Sequence, residues 1–160
     1  MTNAYCKIPT FAIPVLPGEA RAVLEDGIAP LILVDATTLE RRDYTRFLLA
    51  HECCHHKLGH LPKKRLQKKD PSPLWQDSGL QSGSLAARSV FSSRSSSTSR
   101  RHIELEADCC AARQLALLGD AKALTAAIKA MSVFGPKATG PAYPSGLHRA
   151  GAIKLCAGLE

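Results

Sequence analysis

His51-Glu52-Cys53-Cys54-His55 sets two imidazoles four residues apart, with a carboxylate directly after the first. On a helix, at about 100° per residue, such positions diverge by only about 40°, so His51 and His55 share one face and can ligate one metal ion. Imidazole nitrogen suits Zn2+ (zinc), which lowers the pKa of a bound water to about 7. Glu52, the next residue round, can take the proton of that water and later deliver it to a leaving amine. The chemistry expected of this set is hydrolysis of peptide bonds. Glu52 is not needed to hold the metal, which favours catalysis over a purely structural site.

Two histidines need a third ligand. A third histidine ten residues after the first, as in metzincins, is ruled out: that position is Leu61, and the glycine falls at Gly59. On a continued helix His60 lies about 180° from His51 and His56 about 100° off the ligand face, which makes both outer partners or surface histidines. Glu104-Leu105-Glu106-Ala107-Asp108 supplies the ligand instead. Glu104 and Asp108 share a helix face, whereas Glu106 lies about 160° from Glu104. Glu104 is the expected metal ligand, and Asp108 the expected acceptor for a ligand imidazole N–H. Ala107 is small enough to let the two helices approach closely.

His51-Glu52-x-x-His55 together with Glu104-x-x-Ala107-Asp108 resembles the gluzincin peptidases that include the heat-shock membrane protease and the CAAX prenyl protease. Gly119-Asp120-Ala121-Lys122-Ala123-Leu124 is similar to the turn and helix that follow their glutamate helix. Tyr143-Pro144-Ser145-Gly146-Leu147-His148-Arg149 is similar to their late His-Pro…Arg segment, with Tyr143 in place of the histidine. The likeness covers about residues 30–60 and 100–156. It implies a soluble minimal catalytic domain in which Tyr143 or His148 stabilises a developing oxyanion, with Arg149 structural. Arg46 to Glu52 also resembles the start of the zinc helix in IrrE-like regulatory metallopeptidases, which act on repressors; the late segment favours the first family.

The elements that must position these residues follow from periodicity and punctuation. Pro9, Pro14, Pro17 and Gly18 mark an irregular start, and Glu19 to Asp26 reads as a short helix. Pro30 to Val34 reads as a strand at the cleft edge, where a substrate backbone can pair. Leu39 to about Leu58 reads as the metal helix, capped by Thr37 or Thr38 and ended by Gly59. A second helix runs from about Arg101 to Leu118, a third from Asp120 to about Ser132, and a fourth from Ser145 to about Ala157. The fold class expected is α+β, mostly helical with a small edge sheet, the metal helix being crossed by the glutamate helix.

The chain has 160 residues, 45% hydrophobic and 22% charged, which fits a single peptidase domain at 1–160. Between about 61 and 100 the composition turns basic and then Ser-rich, which predicts a mobile insertion with Leu74-Trp75 and Val90-Phe91 as local anchors. Its ends flank the two halves of the site, so it is expected to gate the cleft or to be cut in autolysis. The net charge of +7 is concentrated there, and with only 5% aromatics no nucleic-acid platform accompanies it. A peptide or protein substrate is the expected partner, with neither a specific nucleic acid nor a membrane span. The N-terminus lacks a signal pattern, so the chain reads as cytoplasmic, or as exported if that terminus is trimmed. Cys6, Cys53, Cys54, Cys109, Cys110 and Cys156 are equally consistent with disulfides and with small buried hydrophobes. A bridge between the two Cys-Cys pairs requires their helices to pack together. The rival readings are a zinc-stabilised interaction domain without catalysis and a basic nucleic-acid binder.

Overall fold

The structure is a computed structural model that describes residues 2–14, 20–25, 27–61, 86–136 and 143–159, and for 86–99 the backbone alone. It has the expected α+β class. Strands β1 (Thr10–Ile13), β2 (Ala20–Val23) and β3 (Leu31–Asp35) form a sheet in the order β1-β3-β2. The strand expected at the cleft edge is instead the centre of the sheet: β3 buries Ile32 and Val34 completely and pairs parallel with β1 and antiparallel with β2, so both its sides are taken and β2 is an edge.

Two further sequence expectations need correction here. The segment read as a helix from Glu19 to Asp26 carries β2 instead. Eight residues are too few to hold a helix unsupported, whereas pairing with β3 satisfies the backbone at once. The irregular start likewise contains β1, with Pro9 and Pro14 bounding a short edge strand rather than preventing it.

A 3-10 turn over Ala36–Glu40 leads into helix α1 (Arg42–Lys57). The helix therefore starts three residues later than expected, and neither Thr37 nor Thr38 caps it. Thr37 donates to the Asp35 carboxylate, and the Thr38 carbonyl accepts from the Thr45 hydroxyl and the Arg41 N–H. Both threonines are thus spent on the turn.

Helix α2 (Ala86–Leu117) begins well before Arg101 and runs back into the stretch read as unstructured. Neither glycine nor proline occurs between Gly83 and Gly119, so nothing in the sequence breaks the helix there. The remainder of the insertion, including Leu74-Trp75, lies outside the described residues, as do the side chains of Val90-Phe91. Helices α3 (Ala121–Val133) and α4 (Gly146–Ala157) start where expected: Asp120 accepts from the Ala123 N–H, and Ser145 from the His148 N–H.

The core lies among the helices: Phe47, Ala50 and Cys54 of α1, Ala107, Ala111 and Leu115 of α2, Leu124 and Met131 of α3, and Ile153 of α4. Its many alanines permit the close approach foreseen for Ala107. Gly146 extends the same logic, because a Cβ there would stand 2.1 Å from the Met131 carbonyl oxygen. Only glycine lets α4 start against the end of α3.

All six cysteines are paired, as Cys6–Cys53, Cys54–Cys110 and Cys109–Cys156. Consecutive helix residues point about 100° apart, so each Cys-Cys pair fastens its helix to two different neighbours. The bridges run in series from the N-terminal segment to α1, from α1 to α2, and from α2 to α4. Among the described residues no helix is long and apolar enough to cross a membrane.

Candidate metal centre

The crossing of α1 and α2 brings three donors together. His51 Nε2 and His55 Nε2 lie 3.0 Å apart, Glu104 Oε2 is 3.4 Å from His51 Nε2, and Glu104 Oε1 is 3.8 Å from His55 Nε2. A tetrahedral zinc with bonds of about 2.05 Å separates its ligands by about 3.3 Å, so the three spacings straddle that of a zinc site. Both histidines are buried and Glu104 is half-buried. No other group of three possible ligands is this close among the described residues.

Asp108 stands behind His51, with Oδ1 2.9 Å from Nδ1. The separation is that of a hydrogen bond but the alignment is not, leaving His51 Nδ1 as a buried polar atom without a directed partner. Arg149 fixes Asp108 in turn, its Nε and Nη2 each 2.7 Å from a different carboxylate oxygen, and it reaches Glu104 at 3.8 Å. This fork holds a charge that is fully buried.

In the metal-free site the charges sort themselves. Burial alone would lower His51, but Asp108 and Glu104 outweigh it and raise its pKa to about 9. His55 is pushed down to about 4 by its own burial and by the charge on His51. Burial works to raise the Asp108 carboxyl, and Arg149 and His51 overcome it, holding the group below its ordinary range. The pair of imidazoles therefore shares one proton, kept on His51, and metal binding must expel it.

Glu52 is buried beside this set, and that burial raises its pKa despite the opposing charge of His51. Its Oε2 accepts from the Ala22 N–H at 2.5 Å. Glu52, which is not needed to hold the metal, thus has a structural task of another kind: it ties α1 to the edge strand β2. The N–H of Ala22 points away from β3 into a cleft of about 740 Å³ that holds His51, Glu52, His55 and Glu104, with Tyr44, Phe134 and Tyr143 among its walls.

Tyr143 lines the cleft that holds these residues and is itself largely exposed. His148 does not line the cleft; it is exposed on the first turn of α4, because Ser145 and Gly146 set the helix in a phase that turns Arg149 inward instead. His56 reaches the Leu31 carbonyl on β3 at 3.2 Å and serves the fold. Two contributors escaped sequence reasoning, Arg149 as the brace of Asp108 and Ala22 as the donor to Glu52. The isolated Arg149 among small residues was a weak signal for the first; nothing local signals the second. No family model matches the chain, and no curated protein or solved structure does so either.

Proposed function

We propose that the chain is a zinc-dependent peptidase in which His51, His55 and Glu104 hold the metal and Glu52 is the general base. The observation that carries this reading is the set of three donor spacings, 3.0, 3.4 and 3.8 Å, around one point on the floor of a cleft. A zinc ion bound there supplies Lewis acidity and an acidified water. Glu52 holds the transferred proton on a carboxylate whose burial already raises its affinity for one. Where Oε2 releases the Ala22 N–H, that donor becomes available to a substrate carbonyl along the edge of β2. Tyr143, which lines the cleft, is the group we assign to donate to a developing oxyanion. The likeness to the gluzincins and to IrrE-like peptidases belongs to the same proposal.

A zinc-stabilised domain without catalysis is the second reading, and the Glu52–Ala22 contact favours it, since it gives Glu52 a reason to be present besides chemistry. The two separate in one experiment: zinc content and cleavage of a denatured protein by wild type, Glu52→Gln and Glu104→Ala. The peptidase reading expects about one zinc per chain in wild type. Glu52→Gln retains the metal and loses about 10²–10⁴ in rate. Glu104→Ala loses more zinc affinity than the roughly 10–100-fold that removal of an outer partner costs. Bound zinc without cleavage in wild type leaves the second reading, and absence of binding removes both. The three disulfides favour an oxidising compartment, the exported alternative of the two considered.

A further inference from the structure

His51 has Asp108 behind it, and the structure gives His55 a different backing. Helix α1 ends on Gly59, whose φ of 69° turns the chain back on itself. The Gly59 N–H bonds to the His56 carbonyl and the His60 N–H to the His55 carbonyl, the two bonds of a Schellman ending. That ending frequently lays the second residue beyond the helix against the residue five before it. The contact is usually apolar; here both residues are histidines. His60 Nδ1 lies 3.2 Å from His55 Nδ1, and its side chain is only 8% exposed. On its far side His60 Nε2 is 3.3 Å from Oε2 of Glu106.

We propose that His60 and Glu106 are positioning residues that orient His55 for metal ligation, through a relay His55–His60–Glu106. The inference rests on the metal-site reading above. One distribution of protons satisfies every atom. His55 offers Nε2 to the metal, so its proton is on Nδ1 and is donated to His60 Nδ1. His60 then carries its own proton on Nε2, the atom that lies 3.3 Å from the Glu106 carboxylate. The relay fixes the tautomer and the ring angle of His55, as carboxylates and carbonyls do for metal-bound imidazoles in general. It also gives the acidic run on α2 a complete division of labour. Glu104 faces the metal, Asp108 backs His51, and Glu106, about 160° round from Glu104, meets the chain where it returns from Gly59. His102, one turn earlier on α2 and exposed, stands 3.3 Å from the other Glu106 oxygen.

The test is zinc affinity of the full chain, by chelator competition, for wild type, His60→Phe and Glu106→Leu, with the visible spectrum of the cobalt-loaded proteins as second readout. Phenylalanine keeps the ring and its packing but removes the acceptor, and is expected to weaken zinc binding about 10–100-fold. Glu106 is 47% exposed, so Glu106→Leu interrupts the same relay without opening the core if His60→Phe folds poorly. Its expected loss is smaller, about 3–10-fold, and Glu106→Gln, which keeps an acceptor, restores most of it. Both His60→Phe and Glu106→Leu shift the cobalt bands, which report the ligand field and not stability. Unchanged affinity and spectrum in folded variants overturn the relay while leaving the metal site standing. A wild type that binds no zinc overturns the metal reading itself.

Discussion

On the helical side of the cleft, α1, α2 and α4 are joined covalently, and every metal-ligating candidate lies within four residues of a bridged cysteine on α1 or within six on α2. On the sheet side β2 meets the site through the bond from Ala22 to Glu52, and no cysteine lies within a strand, Cys6 standing four residues before β1. On the proposed function the two walls would have different tasks. A metal set tolerates little drift in its donors, and the helical wall is cross-linked where drift would begin. An edge strand that accepts a peptide must exchange one partner for another, and a lone hydrogen bond, worth about 0.5–1.5 kcal/mol, is cheap to exchange.

The largest expected effect comes from unfastening the helical wall. Each bridge closes a loop of 47 or 56 residues. By chain entropy one such bridge contributes about 4 kcal/mol, so three together rival the whole stability of an ordinary domain, about 5–15 kcal/mol. Full reduction is expected to abolish zinc binding and most helicity, measured by chelator competition and far-ultraviolet circular dichroism. Removing one bridge by Cys54→Ala with Cys110→Ala lowers unfolding stability in urea by about 2–4 kcal/mol. Reduced protein that stays helical and takes up zinc would show that packing of the alanine-rich core is sufficient, and the contrast between the walls would collapse.

The proton held by His51 gives the next effect. Its pKa of about 9 in the metal-free site means that zinc must displace a proton at neutral pH, whereas His55, at about 4, has none to lose. Apparent affinity therefore rises with pH, about tenfold per unit below 9, or about 100-fold between pH 6 and 8. Calorimetry in buffers of different ionisation enthalpy should count one proton released from the protein. Release of none would mean that Asp108 and Glu104 do not hold the imidazolium, and that the helical wall is preset in its neutral form.

What the sequence reveals divides along the same line. His51, His55, Glu104 and Asp108 were legible because helical spacing alone dictates which residues share a face. The caps Asp120 and Ser145 were legible because their chemistry is local. The strands β1 and β2 were not, since their stability lies in pairing with β3: the strand-forming Thr10, Phe11 and Ile13 stand between Pro9 and Pro14, and the residues of β2 suit a helix as well as a strand. Cysteine pairing was left open for a related reason: adjacent cysteines pointing about 100° apart announce two partners but name neither. His60 shows the limit most clearly. Helical geometry sends it to the far side of the helix, and only the reversal at Gly59 brings it back against His55.

The smallest effect isolates the sheet wall. Ala22 pairs with Ile32, yet its N–H turns outward to Glu52, so proline at that position removes the cleft-facing donor without breaking the ladder. Edge strands tolerate proline, and the extended conformation it imposes on Arg21 already exists in β2. For Ala22→Pro we expect zinc affinity within about twofold of wild type, because the donors on α1 and α2 are held independently of the sheet. On a peptide substrate KM should rise about 2–10-fold, the value of one hydrogen bond, with kcat nearly unchanged. A large fall in zinc affinity would reverse the assignment, making the Ala22–Glu52 bond a strut of the metal helix. A fall in kcat at constant KM would place the donor in the reacting geometry and not in binding. Only a change confined to KM keeps the two walls distinct, one holding the metal and the other reading the substrate.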